Sequence, residues 1–443
     1  MSPISDRHQT VLSDALAWMR HAVPSVFTDR RDLHLDSRRV KRGDVFVAVP
    51  GGKTDGRDYL SAAAANGAVA ALVEANGWHV DAARPSPLPV HAVEGLSHVM
   101  GSLAADFYRH PSEHLLSIGV TGTNGKTSST QWIAQLLTYA GRRCAVIGTV
   151  GIGFADEPLN EASLTTPDSV SLQREVRALL DAGARALAME VSSIGLQQGR
   201  MSGMKVDVAL FTNLTRDHLD YHGTMQRYEA AKGLLFDWPT LSHAVINVDD
   251  PAGQRLIPRL VERGVDVIGY GTERSESGKA ARFVAPHGIA HLLSAQRVRA
   301  TANGLAFEVC LDGQAIPIEV PLVGQFNVEN LLGVLGVMHA CGVDFARAMA
   351  ALPQLSSPTG RMQQVAVSAD PAHLPLVVVD YAHTPDALSK ALAALRPLVE
   401  ARDQVGGTSD SGKLWIVFGA GGDRDPGKRE PMGAAAAVGA DVV

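Results

Sequence analysis

The sequence is poor in cysteine, with three residues in 443, Cys144, Cys310 and Cys341, far apart. An odd, scattered set matches neither a disulfide framework nor the ligand spacing of a zinc site, so the thiols are expected to be reduced, in a cytoplasm. It also lacks a basic surplus. Lys and Arg number 40 against 46 Asp and Glu, a net charge of −6, which argues against binding nucleic acid through its phosphates. No apolar run approaches the roughly 18 residues of a membrane span, so no membrane insertion is expected. The N-terminus carries Asp6, Arg7 and His8 without a long apolar stretch and does not read as a signal peptide. What remains, 46% hydrophobic and 19% charged residues, is the composition of a soluble globular protein. Glycine is plentiful at 43 residues and suits an α/β chain with many tight strand–helix joins. At 443 residues the chain is too long for one core, and about three domains are expected.

A further absence is local. The phosphate-loop pattern G-x-x-x-x-G-K-[ST] requires glycine at position 120, where this chain has Val120. A tighter loop remains, Gly122, Thr123, Asn124, Gly125, Lys126 and Thr127. It follows the apolar stretch Leu115 to Val120 and opens a helix expected over Ser128 to Ala140. Backbone N–H groups and the helix dipole there favour a phosphate. Lys126 would neutralise β- and γ-phosphates and Thr127 would offer a hydroxyl to Mg²⁺. The alternative is an ordinary strand, glycine turn and helix.

Three regions are expected. Residues 1–110 read as a small α/β unit with strands at Val45–Val49 and Val69–Val73. Residues 111–353 alternate near-continuous apolar strands with helices, the pattern of a parallel sheet covered on both faces. Its strands are expected at Ala184–Glu190, Val206–Asn213 and Ala244–Asn247, with a small antiparallel appendage over 282–323. Residues 354–443 hold two further buried strands, Leu376–Asp380 and Leu414–Phe418. That third unit is shorter than the common ~100–150 residues and ends on what reads as another strand, so the chain is expected to be cut inside a domain.

Several polar groups stand at strand ends, where α/β sites gather. Glu190 is either a carboxylate for Mg²⁺ or a solvated strand end. Asp217, His218, Asp220 and His222 crowd together too closely for a core pattern, and His218 is the favoured site residue. His222 before Gly223 is a site residue or a turn. Lys232, on a helix, reads from its own surroundings as a solvated surface charge. Thr165 and Thr166, then Ser192, Gln198 and Arg200, offer hydroxyls, an amide and a guanidinium suited to a phosphorylated or sugar-like substrate, although capping explains Thr165 equally well. A second glycine-rich loop, Gly419 to Asp425, lacks the dinucleotide pattern and contains Arg424, which points to an anion.

Taken together these motifs resemble the Mur ligase family, over Leu35 to Val443. They are Leu35–Arg38, Gly122–Thr127, Thr165–Pro167, Glu190–Ser193, Asn213–Gly223, Tyr228–Lys232, Asp380–Leu388 and Gly421–Arg424. The resemblance implies an α/β protein of three domains: an N-terminal UDP-binding domain, a central P-loop domain with a parallel sheet, and an incomplete C-terminal Rossmann-like domain that binds an amino acid. It implies ATP and Mg²⁺ as cofactors and a monomer. The implied activity is addition of the third amino acid to UDP-N-acetylmuramoyl-L-alanyl-D-glutamate through an acyl phosphate, with meso-diaminopimelate favoured over L-lysine.

By the same resemblance, Gly122 to Ser128, Asn327, Asn330, Arg361 and Asp380 bind ATP. Leu35, Ser37, Gly52, Lys53, Thr54, Thr165, Thr166, Ser192, Gln198 and Arg200 meet the UDP-sugar-peptide. Arg424 meets the incoming amino acid, and Lys232 is carbamylated to join Thr127, Glu190 and His218 as a metal ligand. Two departures stand out. Ile194 replaces a histidine common after the paired serines, and the Asp-Asn-Pro-Arg type motif that reads the amino acid is missing. Folylpolyglutamate synthase shares the tight loop but not the stretch Leu35 to Tyr59. An inactive nucleotide-binding fragment is the remaining alternative.

Overall fold

The computed structural model describes residues 6–28, 31–52, 54–79, 86–272, 275–276, 279–280, 288–365, 375–406, 412–420 and 426–443. The chain forms two compact units. One comprises Met1–Gly119, Arg143–Asp207 and His218–Leu241, the other Val120–Arg142, Val208–Asp217 and Ser242–Val443.

The first unit opens with a four-stranded parallel sheet, β1 (Leu33–His34), β2 (Val45–Ala48), β3 (Ala70–Glu74) and β4 (Val90–Val93), in that order. Strands β1, β2 and β3 are buried throughout, as continuous apolar runs require, while β4 is buried only at Val93. Val45, Val47 and Leu72 pack with Leu12, Met19, Leu96 and Leu103 of the helices Asp6–Ala22 and Leu96–Phe107. Phe46, Ala71 and Val73 pack on the other side with Ala63 of the helix Leu60–Ala65. Strand β5 (Leu116–Thr121) begins in this unit. Beyond it come β6 (Cys144–Gly148), β7 (Gly151–Phe154) and β8 (Ala186–Glu190), with β8 parallel and β7 antiparallel to β6. The helix Ser169–Asp181, capped by the Asp168 carboxylate, links β7 to β8.

In the second unit β9 (Val208–Phe211), β10 (His243–Asn247), β11 (Asp266–Thr272) and β14 (His291–Thr301) pair in parallel. A short hairpin, β12 (Ser275–Glu276) and β13 (Lys279–Ala280), precedes β14. Antiparallel β15 (Gly304–Leu311) and β16 (Gln314–Val320) complete the row. The expected appendage over 282–323 is therefore an extension of the main sheet. Leu293 and Ala295 of β14 are fully buried and need the same cover as β11, which the helix Phe326–Ala340 supplies. Pro317 lies on β16, the outermost strand, opposite Glu308.

The last region differs more from expectation. β17 (Gln363–Val365) and β18 (Val377–Val379) form an antiparallel pair whose valines are largely exposed. Among the described residues Leu414–Phe418 forms no buried strand, and its pairing is a single bridge from Trp415 to Val442. Leu414, Ile416 and Phe418 pack against Leu388, Leu392, Met432 and Ala436 of the helices Pro385–Gly406 and Arg429–Gly439, while Trp415 and Val417 alternate outward and stand exposed. A short apolar run does not distinguish one covered face from two. Among the described residues no helix is long and apolar enough to cross a membrane.

Candidate active site

In the second unit, the buried strand β5 ends one turn before the helix Lys126–Tyr139. Val120 is fully buried, which explains why glycine is not needed there: it is a strand residue, and the loop begins at Gly122. Gly122 (φ 147) and Gly125 (φ 86) take conformations that other residues avoid. Both also lie against side chains. An added Cβ at Gly122 would lie 1.9 Å from Thr212 Oγ1. The loop is held from β9's end: Thr123 N–H donates to the Asn213 carbonyl (2.8 Å), Asn124 N–H to Asn213 Oδ1 (2.9 Å), and the Thr212 hydroxyl to the Asn124 carbonyl (2.6 Å). Lys126 Nζ donates back to the carbonyls of Gly122 and Thr123, both at 2.9 Å, so the ammonium lies over the loop. Thr127 and Ser128 are buried at the helix start. The amide of Asn330 faces Gly125 and donates to Asn327 Oδ1 (3.0 Å), while Asn327 Nδ2 donates to the Val323 carbonyl. Arg361 and Asp380 come together in the same unit: the Asp380 carboxylate accepts from Met362 N–H (2.8 Å), and the Arg361 guanidinium stands 5.3 Å from the ring centre of Tyr381.

In the first unit, Glu190 ends β8 and is buried. Its Oε1 accepts the N–H of Thr149 (2.8 Å) and its Oε2 the Thr149 hydroxyl (3.1 Å). Glycine at 148 leaves the room, since a Cβ there would lie 2.3 Å from Glu190 Oε1. Thr165 Oγ1 is 3.1 Å from Thr149 Oγ1. The Thr166 hydroxyl donates to the Glu190 carbonyl (3.0 Å) and accepts from Ser192 N–H (3.0 Å). Arg200 donates from NH1 to the Thr166 carbonyl (2.9 Å) and from Nε and NH2 to Gln198 Oε1, and Gln198 Nε2 donates to Tyr221 (3.2 Å). Burial lowers the Arg200 pKa, opposed by Asp168 and Tyr221. Thr165, Thr166, Ser192, Gln198 and Arg200 thus form one cluster around the end of β8.

His218 is a non-glycine residue at φ 51 and precedes the short helix Leu219–His222. Such a backbone stores strain and marks a constrained turn. His222 is buried, its Nε2 2.9 Å from Ser193 Oγ. Burial lowers its pKa, with His218 and Lys232 adding to the effect. Lys232 is itself buried on the helix Met225–Gly233, contrary to the surface position its surroundings in the sequence imply, with Nζ 4.4 Å from the ring centre of Tyr228. The His218 and His222 rings approach the same tyrosine at 6.2 and 5.2 Å.

In the N-terminal region Ser37 is buried in a short 3₁₀ turn capped by Asp36, whose carboxylate also accepts from the Arg38 side chain. Leu35 is half-buried beside it, and Gly52 and Thr54 are exposed in the turn closed by Gly51 N–H on the Thr54 carbonyl. Lys53 and Arg424 lie outside the described residues.

Among the described residues no group of three His, Cys, Asp or Glu side chains forms a ready metal cage. Mg²⁺ does not ask for one, because it keeps several waters and uses one or two carboxylates plus phosphates. The buried, oriented carboxylate of Glu190 in the first unit is of the kind it takes.

Three family models match the chain: Mur ligase family, catalytic domain, over residues 32–108; Mur ligase middle domain over 120–338; and Mur ligase, glutamate ligase domain, over 360–443. A relative from Ralstonia nicotianae, UDP-N-acetylmuramoyl-L-alanyl-D-glutamate--2,6-diaminopimelate ligase, is 49% identical over 440 residues, 98% of this chain and 80% of that protein. The protein of the same name from Janthinobacterium is 45% identical over 428 residues, 96% and 79% of the two chains. A solved structure of a protein of that name superposes with a TM-score of 0.68 at 33% identity, covering 93% of this chain and 77% of that one. The folylpolyglutamate synthase of Mycobacterium tuberculosis, at TM-score 0.50 and 19% identity over 67% and 69% of the two chains, shares the fold alone. Matched along nearly its whole length by relatives at such identity, the chain belongs to the Mur ligase family.

Proposed function

We propose that this chain joins meso-diaminopimelate to UDP-N-acetylmuramoyl-L-alanyl-D-glutamate at the expense of ATP, in the cytoplasm, as a step of peptidoglycan precursor synthesis. The observation that carries the reading is the glycine loop at Gly122–Gly125, shaped by Thr212, Asn213 and Asn330 and crossed by the Lys126 ammonium. The name that the relatives carry supports 2,6-diaminopimelate over L-lysine.

A carboxylate is a poor electrophile. Its oxygen attacks the γ-phosphorus, ADP departs, and an acyl phosphate forms. The amine nitrogen of the incoming amino acid then attacks the acyl carbon, phosphate leaves, and the nitrogen loses a proton to give the amide. The protein's task is to position the reactants and neutralise charge. Gly122 to Ser128 cradle the phosphates, Lys126 offsets their charge, Asn327 and Asn330 hold adenine, and Arg361 and Asp380 hold phosphate and ribose. Leu35, Ser37, Gly52, Lys53 and Thr54 hold the UDP-sugar, and Thr165, Thr166, Ser192, Gln198 and Arg200 its peptide end. Arg424 holds the carboxylate of the incoming amino acid. Along the chain, residues 1–110 form the UDP-sugar-binding domain, 111–353 the ATP-binding domain, which also supplies the contacts to the substrate's peptide end, and 354–443 the amino-acid-binding domain, which also lends Arg361 and Asp380 to ATP.

Thr127, Glu190, His218 and Lys232 would hold Mg²⁺, which when bound supplies charge stabilisation for the transferring phosphoryl group. For Lys232 this requires carbamylation: its amine takes up carbon dioxide, releases a proton, and becomes a carboxylate-like group. A buried ammonium is costly to desolvate, and the buried position of Lys232 supports the modification.

The test is phosphate release from the full chain. It is expected to require ATP, UDP-MurNAc-L-Ala-D-Glu and meso-diaminopimelate together, and to vanish in Lys126→Ala. Release with L-lysine but not diaminopimelate would overturn the choice of amino acid, and release with a folate in place of the UDP-dipeptide would overturn the substrate.

A further inference from the structure

The turn between β6 and β7 has no part in the proposed function, yet its Thr149 bonds the Glu190 carboxylate directly. Thr149 uses both its hydrogen-bond donors on that one carboxylate, N–H to Oε1 at 2.8 Å and hydroxyl to Oε2 at 3.1 Å. The two bonds reach one oxygen each, which fixes the rotation of the carboxylate as well as its place. With its proton committed to Glu190, the Thr149 hydroxyl keeps only acceptor positions, so the contact with Thr165 at 3.1 Å is one in which Thr165 donates. Thr166 closes a second path, its hydroxyl donating to the Glu190 carbonyl at 3.0 Å. One face of the dipeptide Thr165–Thr166 is therefore bonded to the carboxylate of Glu190 through Thr149, and the other directly to its backbone. A carboxylate has about four acceptor positions, and Thr149 uses two of them.

We propose that Thr149 is a positioning residue that sets the orientation of the Glu190 carboxylate for a divalent cation and joins it to the substrate-facing hydroxyl of Thr165. The inference rests on Glu190 being a metal ligand. Outer hydrogen bonds of this kind orient ligating groups, and their loss commonly weakens metal binding about 10–100-fold. Bonding through Thr165 also gives the UDP-dipeptide a route to alter cation affinity without touching the cation.

The experiment uses Mn²⁺ as the probe, titrated into the full chain with ADP present, with free Mn²⁺ read by electron paramagnetic resonance. Thr149→Val keeps the shape and removes the hydroxyl, and it is expected to weaken Mn²⁺ binding about tenfold. Thr149→Ser restores the donor and is expected to bind within about twofold of the parent, because one hydroxyl serves as well as the other. Glu190→Gln separates the two levels of the argument. If Glu190→Gln weakens Mn²⁺ and Thr149→Val does not, the positioning role is wrong and the ligand role stands. Undiminished binding in Glu190→Gln overturns both. Equal weakening in the Val and Ser variants assigns the effect to packing and also overturns the proposal. Thermal midpoints check folding, and Thr149→Ala replaces the valine variant should that one fail to fold.

Discussion

The amide oxygen of Asn330 occupies the space that a side chain at position 125 would need: a Cβ built on Gly125 would lie 2.2 Å from Asn330 Oδ1. Residues far apart in the sequence, Gly125 and Asn330, thus shape one phosphate loop. The loop's form depends on this approach as much as on glycine's freedom.

Gly125→Ala should accordingly fold but bind nucleotide poorly. A left-handed conformation costs a non-glycine residue about 1–2 kcal/mol, near a tenfold change, before the clash with Asn330 is added. Calorimetric titration with ADP is expected to show at least that loss, with UDP-substrate affinity unchanged. An unchanged ADP affinity would mean the loop opens freely and is not shaped by Asn330.

Lys232→Ala should abolish ligation, and added short-chain carboxylates should restore part of it by supplying the missing oxygens. The measurement is phosphate release across a carboxylate series. Full activity without any additive would remove the carbamate from the mechanism.

Arg200 makes three directed bonds, one to the Thr166 carbonyl and two to Gln198. Lysine reproduces the charge but not the fork. Arg200→Lys is expected to raise KM for the UDP-dipeptide by about 10–100-fold, the worth of ~1.5–3 kcal/mol for a charged hydrogen bond, with KM for ATP little changed. Equal rises for both substrates would show a general disturbance of the fold.

Stability should respond to acid through His34. Its Nε2 lies 3.1 Å from Asp44 and its Nδ1 3.2 Å from the Arg174 guanidinium. Burial, and then Arg174, lower its pKa below 6.5, against the opposing pull of Asp44. The folded state therefore resists a proton that the unfolded state accepts. This contribution is fully present above about pH 6.5 and is lost as the pH falls below it towards the lowered folded value. Melting temperatures at pH 7.5 and 5.5 are expected to differ more for the parent than for His34→Asn.

The sequence made some of this legible and hid the rest for physical reasons. The phosphate loop declared itself because strand, glycines and Lys126 are contiguous. Glu190 was visible as a charge ending an apolar strand. Thr149 was not, because its partner lies 41 residues away and a threonine in a turn carries no period. The signal that could have found it is the glycine series Gly148, Gly151 and Gly153, which marks a turn closely approached by other groups. Lys232 read as a surface charge on its helix and became a site residue only through the family's pattern, since its burial comes from how the helix packs in the fold, which its sequence neighbours do not show. Leu414–Phe418 misled in the opposite direction. Its apolar run implied two covered faces, and only the face of Leu414, Ile416 and Phe418 is covered among the described residues.

Pro317 bears on a different property, the protein's behaviour at high concentration. A sheet that ends on a seven-residue strand such as β16 offers a row of backbone groups to any other strand. Proline is tolerated there because its missing N–H costs the ladder nothing on the open side, and that same absence interrupts the row a second copy would pair with. Growth of the main sheet beyond β16 is thereby discouraged by a single residue, and Pro317→Thr would trade that protection for a continuous edge and a greater tendency to self-associate.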